Sequence, residues 1–389
     1  MWVVRSSILS PSDIHRVVSI AKAHHFNALF VQVRGRGDAF YQSALEPRSE
    51  DLEGRPTDFD PLAETLRQAH ADGIQVHAWM NTCYVWGSAH RPHAGSHIVN
   101  SHPEWLARDA QNRFCTTLTP ECEGAFVTPA NLAARRHIHD VFVDVAKRYA
   151  IDGIHFDYIR YPNKGYDYSN SALTRFRSEM TATLSPEQVR QLDSKASRNR
   201  IAYPMSFPNA WQQFRRNQIT EMVASISQDI KAIKPGMVIS AAVFADRKDA
   251  YASRGQDWNW WLAQGYVDAV LPMAYGASTA RVAAQISDAV SCARAAHRYA
   301  YAGIGSWHIP AVSTIGKIEA ARSLGAQGIV LFSYGGITHD GMTTDYVDKV
   351  AHSCFASDAC VPEMPWLKPA LAPVALTGKT DTESKESGG

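Results

Sequence analysis

Short apolar runs alternate along this chain with longer stretches in which apolar residues recur every three or four positions. The short runs carry β-branched and aromatic side chains and are bounded by glycine, proline or aspartate, which is how strands read. They predict strands at Trp2–Arg5, Ala28–Val33, Gln75–Trp79, Gly153–Asp157, Val238–Val243, Val267–Pro272, Tyr301–Gly305 and Gly328–Phe332. The longer stretches predict helices at Ser12–Ala23, Pro61–Ala71, Leu132–Tyr149, Trp211–Ile233, Trp258–Gln264, Ala280–Ala296, Ser313–Leu324 and Thr344–Cys354. Gly73, Gly153, Gly265 and Gly325 stand near helix ends or strand entries, and Pro235-Gly236 ends the long helix after Lys234. Eight strands in strict alternation with eight helices is the α/β pattern of a (β/α)8 TIM barrel. A doubly wound open sheet would normally have fewer strands. No Gly-rich phosphate fingerprint follows the first strand.

Two insertions break the rhythm, Thr82 to Asn131 after the third strand and Tyr158 to Asn209 after the fourth. Both fall at the C-terminal face of the predicted barrel, where enzymes of this fold keep their active sites, so these loops are expected to wall a cleft. The barrel is expected to span residues 1–356. Residues 357–389, rich in Pro, Ala, Thr, Ser and Lys, read as a disordered tail.

Charge narrows the partners. Of 389 residues, 39 are Lys or Arg and 38 Asp or Glu, a net charge of +1. That balance offers no basic surface for nucleic acid. No run of about 18 apolar residues exists, so no membrane-inserted helix is expected. Met1-Trp2-Val3-Val4-Arg5 reads as a strand, not as a signal peptide. Ten Trp and fifteen Tyr suit a cleft in which flat rings stack on sugars, although core packing claims many of them. Cys115 with Cys122, and Cys354 with Cys360, are close enough in sequence to form disulfides, which favours an extracytoplasmic location, periplasmic or secreted. Cys83 and Cys292 read as buried thiols, and no C-x-x-C pair suggests structural zinc. No cofactor is expected.

The chemistry concentrates in Ile151-Asp152-Gly153-Ile154-His155-Phe156-Asp157-Tyr158-Ile159-Arg160-Tyr161-Pro162. Strand alternation puts Ile154 and Phe156 on one face and His155 and Asp157 on the other, inward one. Asp157 falls where the strand yields to its loop, at the catalytic rim. Partial burial there would raise its pKa and fit it for general acid work, while His155 or Arg160 could instead hold it ionised.

This stretch resembles the family-10-like glycosyl hydrolases, a bacterial group of barrel enzymes that includes a hydrolase of peptide-free peptidoglycan strands. Further segments carry the resemblance: Val31-Gln32-Val33-Arg34-Gly35-Arg36-Gly37-Asp38-Ala39-Phe40-Tyr41-Gln42-Ser43; Asp60-Pro61-Leu62 with Ala69-His70; His77-Ala78-Trp79-Met80-Asn81; His102-Pro103-Glu104-Trp105-Leu106; and Trp261-Leu262 followed by Tyr266-Val267-Asp268-Ala269-Val270-Leu271-Pro272-Met273-Ala274-Tyr275. The resemblance covers roughly Trp2 to Asp345. It implies hydrolysis of O-glycosidic bonds in a polysaccharide, with a peptidoglycan-derived or other N-acetylhexosamine-containing glycan as the expected class. Family members often read Phe-Asp-Asp-Tyr at the fourth strand. Here the second carboxylate is missing. Family 18 chitinases, which the strand also resembles, place a Glu where this chain has Ile159.

Glycoside hydrolysis normally needs a second carboxylate. The candidates are Asp246, just after the fifth strand, and Glu121 or Glu123 in the loop after the third, with Asp246 preferred for its place at a strand end. Without one, a 2-acetamido substrate could supply its own nucleophile. Arg34 is expected to pair with Asp157, with an anionic sugar group, or structurally with Asp38, and Arg36 beside it is a second candidate for the substrate. Trp79, Tyr275 and Trp307 are candidate stacking platforms. Asn81, His155, Tyr158 and Arg160 are candidate polar contacts to the sugar, and His77 reads as a core histidine. Asp152 and Asp268 stand at the opposite, stability end of the barrel. His90, His93 and His97 share one loop and could hold zinc, but the expectation is no catalytic metal. A metal-dependent carbohydrate esterase or deacetylase would need those histidines to converge near Asp157. A non-catalytic glycan-binding barrel would have an aromatic cleft with no general acid. Which glycan is cut, endo or exo action, stereochemistry and oligomeric state are not legible.

Overall fold

A computed structural model describes residues 1–119, 122–338 and 345–367. Eight strands form one parallel sheet in sequence order: β1 Trp2–Val3, β2 Ala28–Arg34, β3 Gln75–Asn81, β4 Gly153–Asp157, β5 Val238–Phe244, β6 Ala269–Ala274, β7 Tyr299–Gly305 and β8 Gly328–Phe332. The sheet curls into a nearly closed barrel. Its two end strands meet where the Trp2 ring packs 5.9 Å from that of Phe332. The helices between strands are α1 Pro11–Ala23, α2 Pro61–Ala71, α3 Leu132–Arg148, α4 Pro208–Ile233, α5 Trp258–Ala263, α6 Thr279–Ala295, α7 Ala311–Ser323 and α8 Tyr346–Cys354. Side-chain caps set several helix starts: Ser10 accepts from the Asp13 N–H, Asp60 from Ala63 and Asn131 from Ala133 and Ala134. None of the described helices is long and apolar enough to cross a membrane.

Alternation along each strand sorts the core into two layers. Val31, Val33, Val76, Ala78, Ile154, Phe156, Ile239 and Ala241 join the layer beneath the helices, where Phe156 stacks on Phe142 of α3 at 5.0 Å. Trp2, Phe30, Trp79, Leu271, Tyr301 and Val330 form a separate cluster, and His77 and His155 pack against its rings. The Phe30 ring lies 4.7 Å from His77 and 4.9 Å from His155. Burial holds His77 down at about 4 and His155 well below the usual histidine range. The Trp2 indole can only donate, so His155 Nε2 accepts from it at 3.1 Å, and His155 Nδ1 carries the proton toward Ser240 Oγ at 2.8 Å. His155 is thus a neutral core residue one layer below the rim, not a substrate contact.

The base of the barrel is held by the two carboxylates read as structural. Asp152 accepts from the Val76 N–H at 2.7 Å, and Asp268 accepts from the Ile239 N–H at 2.8 Å and from Lys231. Asp268 also accepts from the Trp366 indole at 2.8 Å. Residues 357–367, expected as tail, therefore run across the base. Met364 is buried with the inner cluster, and the Glu363 carbonyl accepts from the Tyr299 hydroxyl at 2.6 Å. The described structure thus extends past residue 356, while residues 368–389 lie outside the described residues. A cavity of about 1860 Å³ opens at this end, lined by Met1, Phe30, His77, Tyr301 and Met364. It belongs to the base and not to the rim that carries Asp157.

The insertion after β4 is not only loop. It contains helices Asn170–Thr181, Pro186–Ala196 and Ala202–Ser206, which bury Ala172, Phe176, Leu192 and Tyr203 against Trp211 and Phe214 of α4. Cys115 is disulfide-bonded; the side chain of its expected partner, Cys122, lies outside the described residues. Cys354 and Cys360 are free thiols, so that expected disulfide is absent. Cys83 is buried as read, and Cys292 only partly so.

Candidate active site

The β3–β4 register sets Asn81 beside Asp157 and Trp79 beside His155. Asp157 ends β4 with its side chain inward and buried. Its Oδ1 accepts from the Tyr158 N–H at 2.6 Å and its Oδ2 from the Trp79 indole N–H at 3.1 Å. Burial pushes the carboxyl up from 3.8 to about 6. The Tyr158 N–H, the Arg160 charge and the Trp79 N–H pull the other way, and the charge of Glu123 adds to the rise. A carboxyl balanced in this way exchanges a proton near neutrality.

The chain turns sharply here. Tyr158 has φ +48°, a left-handed conformation that a bulky residue adopts only where its surroundings enforce it. That turn points its N–H at Asp157. The β3 chain continues alongside, with the Thr82 N–H donating to the Asp157 carbonyl at 2.7 Å. The Tyr158 ring lies 4.8 Å from that of Tyr84, and the Arg160 guanidinium sits 4.5 Å from the centre of the Tyr158 ring.

Glu123, one of the second-carboxylate candidates, stands near enough for its charge to act on Asp157. Arg160 donates to Glu123 Oε2 at 2.7 Å and Arg254 to Oε1 at 3.1 Å. The Arg254 guanidinium packs 4.2 Å from the Phe244 ring. Glu123 therefore sits on the loop after β3, reached by one arginine from the β4 loop and one from the β5 loop. Asp246, the preferred sequence candidate, is exposed. It caps a short helix at Arg247–Asp249, accepting from the Lys248 and Asp249 N–H groups. Its partners are those amides. Glu121 lies outside the described residues.

Four expected substrate contacts are spoken for by the protein. Arg34 is fully buried and forks onto Glu46, with Nε 2.8 Å from Oε2, and also donates to the Asn81 and Thr82 carbonyls. Burial opposes the ionised Glu46, yet Arg34 holds it down at about 2. Arg34 thus pairs with neither Asp157 nor Asp38. Arg36 pairs with Asp51 at 2.8 Å and lies over Trp86. Asn81 is buried, donating to the Gly35 carbonyl at 2.8 Å and accepting from the Trp79 indole at 3.0 Å. Trp79 is 3% exposed, so it orients Asp157 instead of stacking on a sugar.

Two platforms remain. Tyr275 and Trp307 are partly exposed and meet edge to face at 5.1 Å, with Phe332 behind both. Burial keeps the Tyr275 phenol protonated, and the nearby charge of Asp157 adds to this. Tyr275 is thus an aromatic surface with a hydroxyl donor next to the acid. The histidine loop does not join this group. His97 donates from Nε2 to the Arg36 carbonyl and accepts at Nδ1 from the Val99 N–H, while His90 and His93 face Glu50 and Glu53. Arg254 and Tyr84 escaped the sequence reading. Each lies on a long loop, where no period marks which side faces the cleft.

Comparison with known proteins agrees with the barrel fold. The family model described as "Glycosyl hydrolase-like 10" matches residues 4–309. Glycosyl hydrolase YngK of Bacillus subtilis is 26% identical over 271 residues, 64% of this chain and 46% of that protein. Glycosyl hydrolase DigH of Escherichia coli K12 is 25% identical over 304 residues, 69% of this chain and 60% of that protein. The chain thus spans about half the length of these curated relatives. Among solved structures, the glycoside hydrolase domain of PgaB (BpsB) from Bordetella bronchiseptica superposes with a TM-score of 0.62 at 15% identity, covering 91% of this chain and 98% of that one. The catalytic domain of β-amylase from Paenibacillus polymyxa gives 0.63 at 12% identity, covering 91% and 97%. At these identities the likeness is one of fold.

Proposed function

The chain belongs to the glycosyl hydrolase-like 10 family, and we propose that it hydrolyses O-glycosidic bonds in a polysaccharide, with Asp157 as general acid and Glu123 as the second carboxylate. The observation that carries this reading is the contrast between the two. Asp157 is buried and pushed up to about 6, whereas Glu123 is compensated by Arg160 and Arg254. Two carboxyl groups in environments that differ this way divide the labour of glycoside hydrolysis: one delivers a proton to the leaving oxygen, the other meets the positive charge that develops at the anomeric carbon and guides the attacking water.

Tyr275 and Trp307 offer the stacking surface, and Tyr84 and Tyr158 a second aromatic wall. The substrate class that suits them is a peptidoglycan-derived or other N-acetylhexosamine-containing glycan, as the motif resemblance implies. The Cys115 disulfide supports a periplasmic or secreted location. The histidines at Glu50 and Glu53 lie apart from the groups around Asp157, which weighs against the esterase reading, and a proton donor at the rim weighs against a purely binding barrel.

The test is product release from denuded peptidoglycan strands, chitin oligosaccharides and plant polysaccharides, following new reducing ends and free acetate separately. New reducing ends from at least one glycan, lost in Asp157→Asn, are expected. Acetate release without reducing ends, or an Asp157→Asn variant as active as the parent, would refute the proposal.

A further inference from the structure

The chain carries a cluster of donor atoms with no part in the chemistry at Asp157. A helical turn after β2, Glu50–Leu52, and the loop residues 90–97 after β3 bring Glu50, His90 and His93 together, with one potential ligand atom of each within 4.8 Å of the others. Glu53, just past the turn, joins them through His93.

The orientation of His90 is informative. Its Nδ1 lies 2.8 Å from the Arg91 carbonyl oxygen, which can only accept, so Nδ1 carries the proton. His90 Nε2 is then left as a lone pair in the neutral ring, and it faces Glu50 Oε1 at 3.6 Å. Glu50 Oε2 accepts from the His93 N–H at 3.3 Å and lies 3.8 Å from His93 Nδ1. His93 Nδ1 in turn is 2.8 Å from Glu53 Oε1. The separations of 3.6 and 3.8 Å exceed a good hydrogen bond. They are close to the spacing, about 3.3–3.5 Å, between neighbouring ligand atoms that each lie about 2.0–2.1 Å from one tetrahedral zinc ion. His93 Nδ1 shares a proton with Glu53 at 2.8 Å, and a cation held among these groups would take that proton's place.

The loop holds this arrangement firmly. The Trp86 indole donates to the His90 carbonyl at 2.7 Å, and Asn100 Nδ2 donates to the Pro92 and Ala94 carbonyls at 2.8 and 2.9 Å. Arg91 reaches Asn100 Oδ1 and the Val99 carbonyl. His97 is excluded as a ligand, because both of its ring nitrogens are already bonded to backbone. The local charge favours a cation as well: Asp38, Glu50, Asp51 and Glu53 gather here, and Arg36 and Arg5 answer them in part.

The geometry points to a site for a borderline divalent cation, Zn²⁺ by the chemistry of its donors, held by His90 Nε2, His93 Nδ1 and the Glu50 carboxylate, with Glu53 as the fourth ligand. Two imidazoles and two carboxylates suit Zn²⁺ better than Mg²⁺ or Ca²⁺, which prefer all-oxygen shells. With four protein ligands the ion leaves no open position, so its role is to tie the β2 loop to the β3 loop on one wall of the barrel mouth. His90 and His93 are exposed, so the ion can enter without unfolding the wall.

The experiment loads the full chain with ZnSO4, removes unbound metal by gel filtration, and counts zinc by elemental analysis. Wild type should retain one zinc per chain and melt at a higher temperature with zinc than without. His90→Gln/His93→Gln, whose fold is checked by circular dichroism, should retain none and show no zinc-dependent shift. Glu53→Gln, which leaves both imidazoles in place, should bind at least tenfold more weakly. A wild type that elutes without zinc, or a double variant that keeps as much as wild type, would overturn the proposal. Neither result depends on whether Asp157 hydrolyses a glycan.

Discussion

Replacing Asp157 by Asn should make the protein more stable at alkaline pH while destroying its activity. Asp157 is 7% exposed, and burial raises its pKa from 3.8 to about 6. The folded state therefore holds this proton more tightly than the unfolded chain does. The stability that this proton confers is complete below pH 4 and is lost as pH rises through about 6. A shift of roughly two units corresponds to about 3 kcal/mol at pH 7 and above, at about 1.4 kcal/mol per unit. Asn keeps an oxygen to accept from Trp79 or Tyr158 and does not ionise, so the variant escapes the loss. An unfolding entropy of about 2 cal/mol/K per residue over 389 residues converts 3 kcal/mol into a difference of about 4 °C in melting temperature. The assay is differential scanning calorimetry of both proteins at pH 4 and pH 8. The variant-minus-wild-type difference should be about 4 °C larger at pH 8, and taking the difference of differences cancels every other titrating group and the fixed effect of the amide. An equal difference at both pH values, or a larger one at pH 4, would refute the claim that Asp157 is held in its protonated form by burial.

Trp79→Phe removes one of the two N–H groups that favour the ionised Asp157. A hydrogen bond to a charged acceptor is worth about 1.5–3 kcal/mol and this one is shared with Asn81, so the basic limb of kcat/KM should move up by about one pH unit; a limb that stays or moves down contradicts the assigned contact. Arg34→Met leaves Glu46 buried without its partner and should cost about 3–5 kcal/mol in urea unfolding, with Glu46→Gln added to it restoring part of the loss. A cost below about 1 kcal/mol would mean that Arg34 is not the structural pair described. Trp366→Ala removes the indole bond to Asp268 and the packing on Tyr299 and Arg298, and should cost about 2 kcal/mol without changing KM. An unchanged unfolding midpoint would show that the base does not depend on residues 357–367.

The barrel was legible because eight apolar runs alternate with eight 3.6-residue patterns, and nothing else about the fold needs to be known to count them. Asp157 was legible for the same reason, since a period of two fixes which side of a strand a residue faces. Depth along the barrel axis is another matter. His155 and Trp79 face inward as alternation requires, yet both lie one layer below the rim and serve the core and Asp157. Asn81 is level with Asp157, but the register gives its amide to Gly35 and Trp79. Charged partners were out of reach: nothing near Arg34 in sequence singles out Glu46, and nothing in sequence pairs Glu123, itself a named candidate, with Arg160 and Arg254 from two other loops. Asp246 shows the converse, a residue in the expected place whose carboxylate is consumed by capping two amides. The segment after residue 356 has the composition of a tail, and contacts from Asn27, Tyr299 and Asp268 to Ala359, Glu363 and Trp366, which periodicity does not reveal, anchor its described part to the base.

The most direct measurement of the central claim is the pH dependence of kcat/KM for the glycan that is cut, in wild type and in Glu123→Gln. A general acid must be protonated to act, so wild-type activity should fall as pH rises past about 6. Glu123→Gln removes a negative charge that helps to raise the Asp157 pKa, so this basic limb should shift to lower pH as the rate drops by two or more orders of magnitude. A wild-type rate that stays flat from pH 5 to pH 9, or a basic limb that Glu123→Gln leaves in place, would contradict the pairing of Asp157 with Glu123 as acid and second carboxylate.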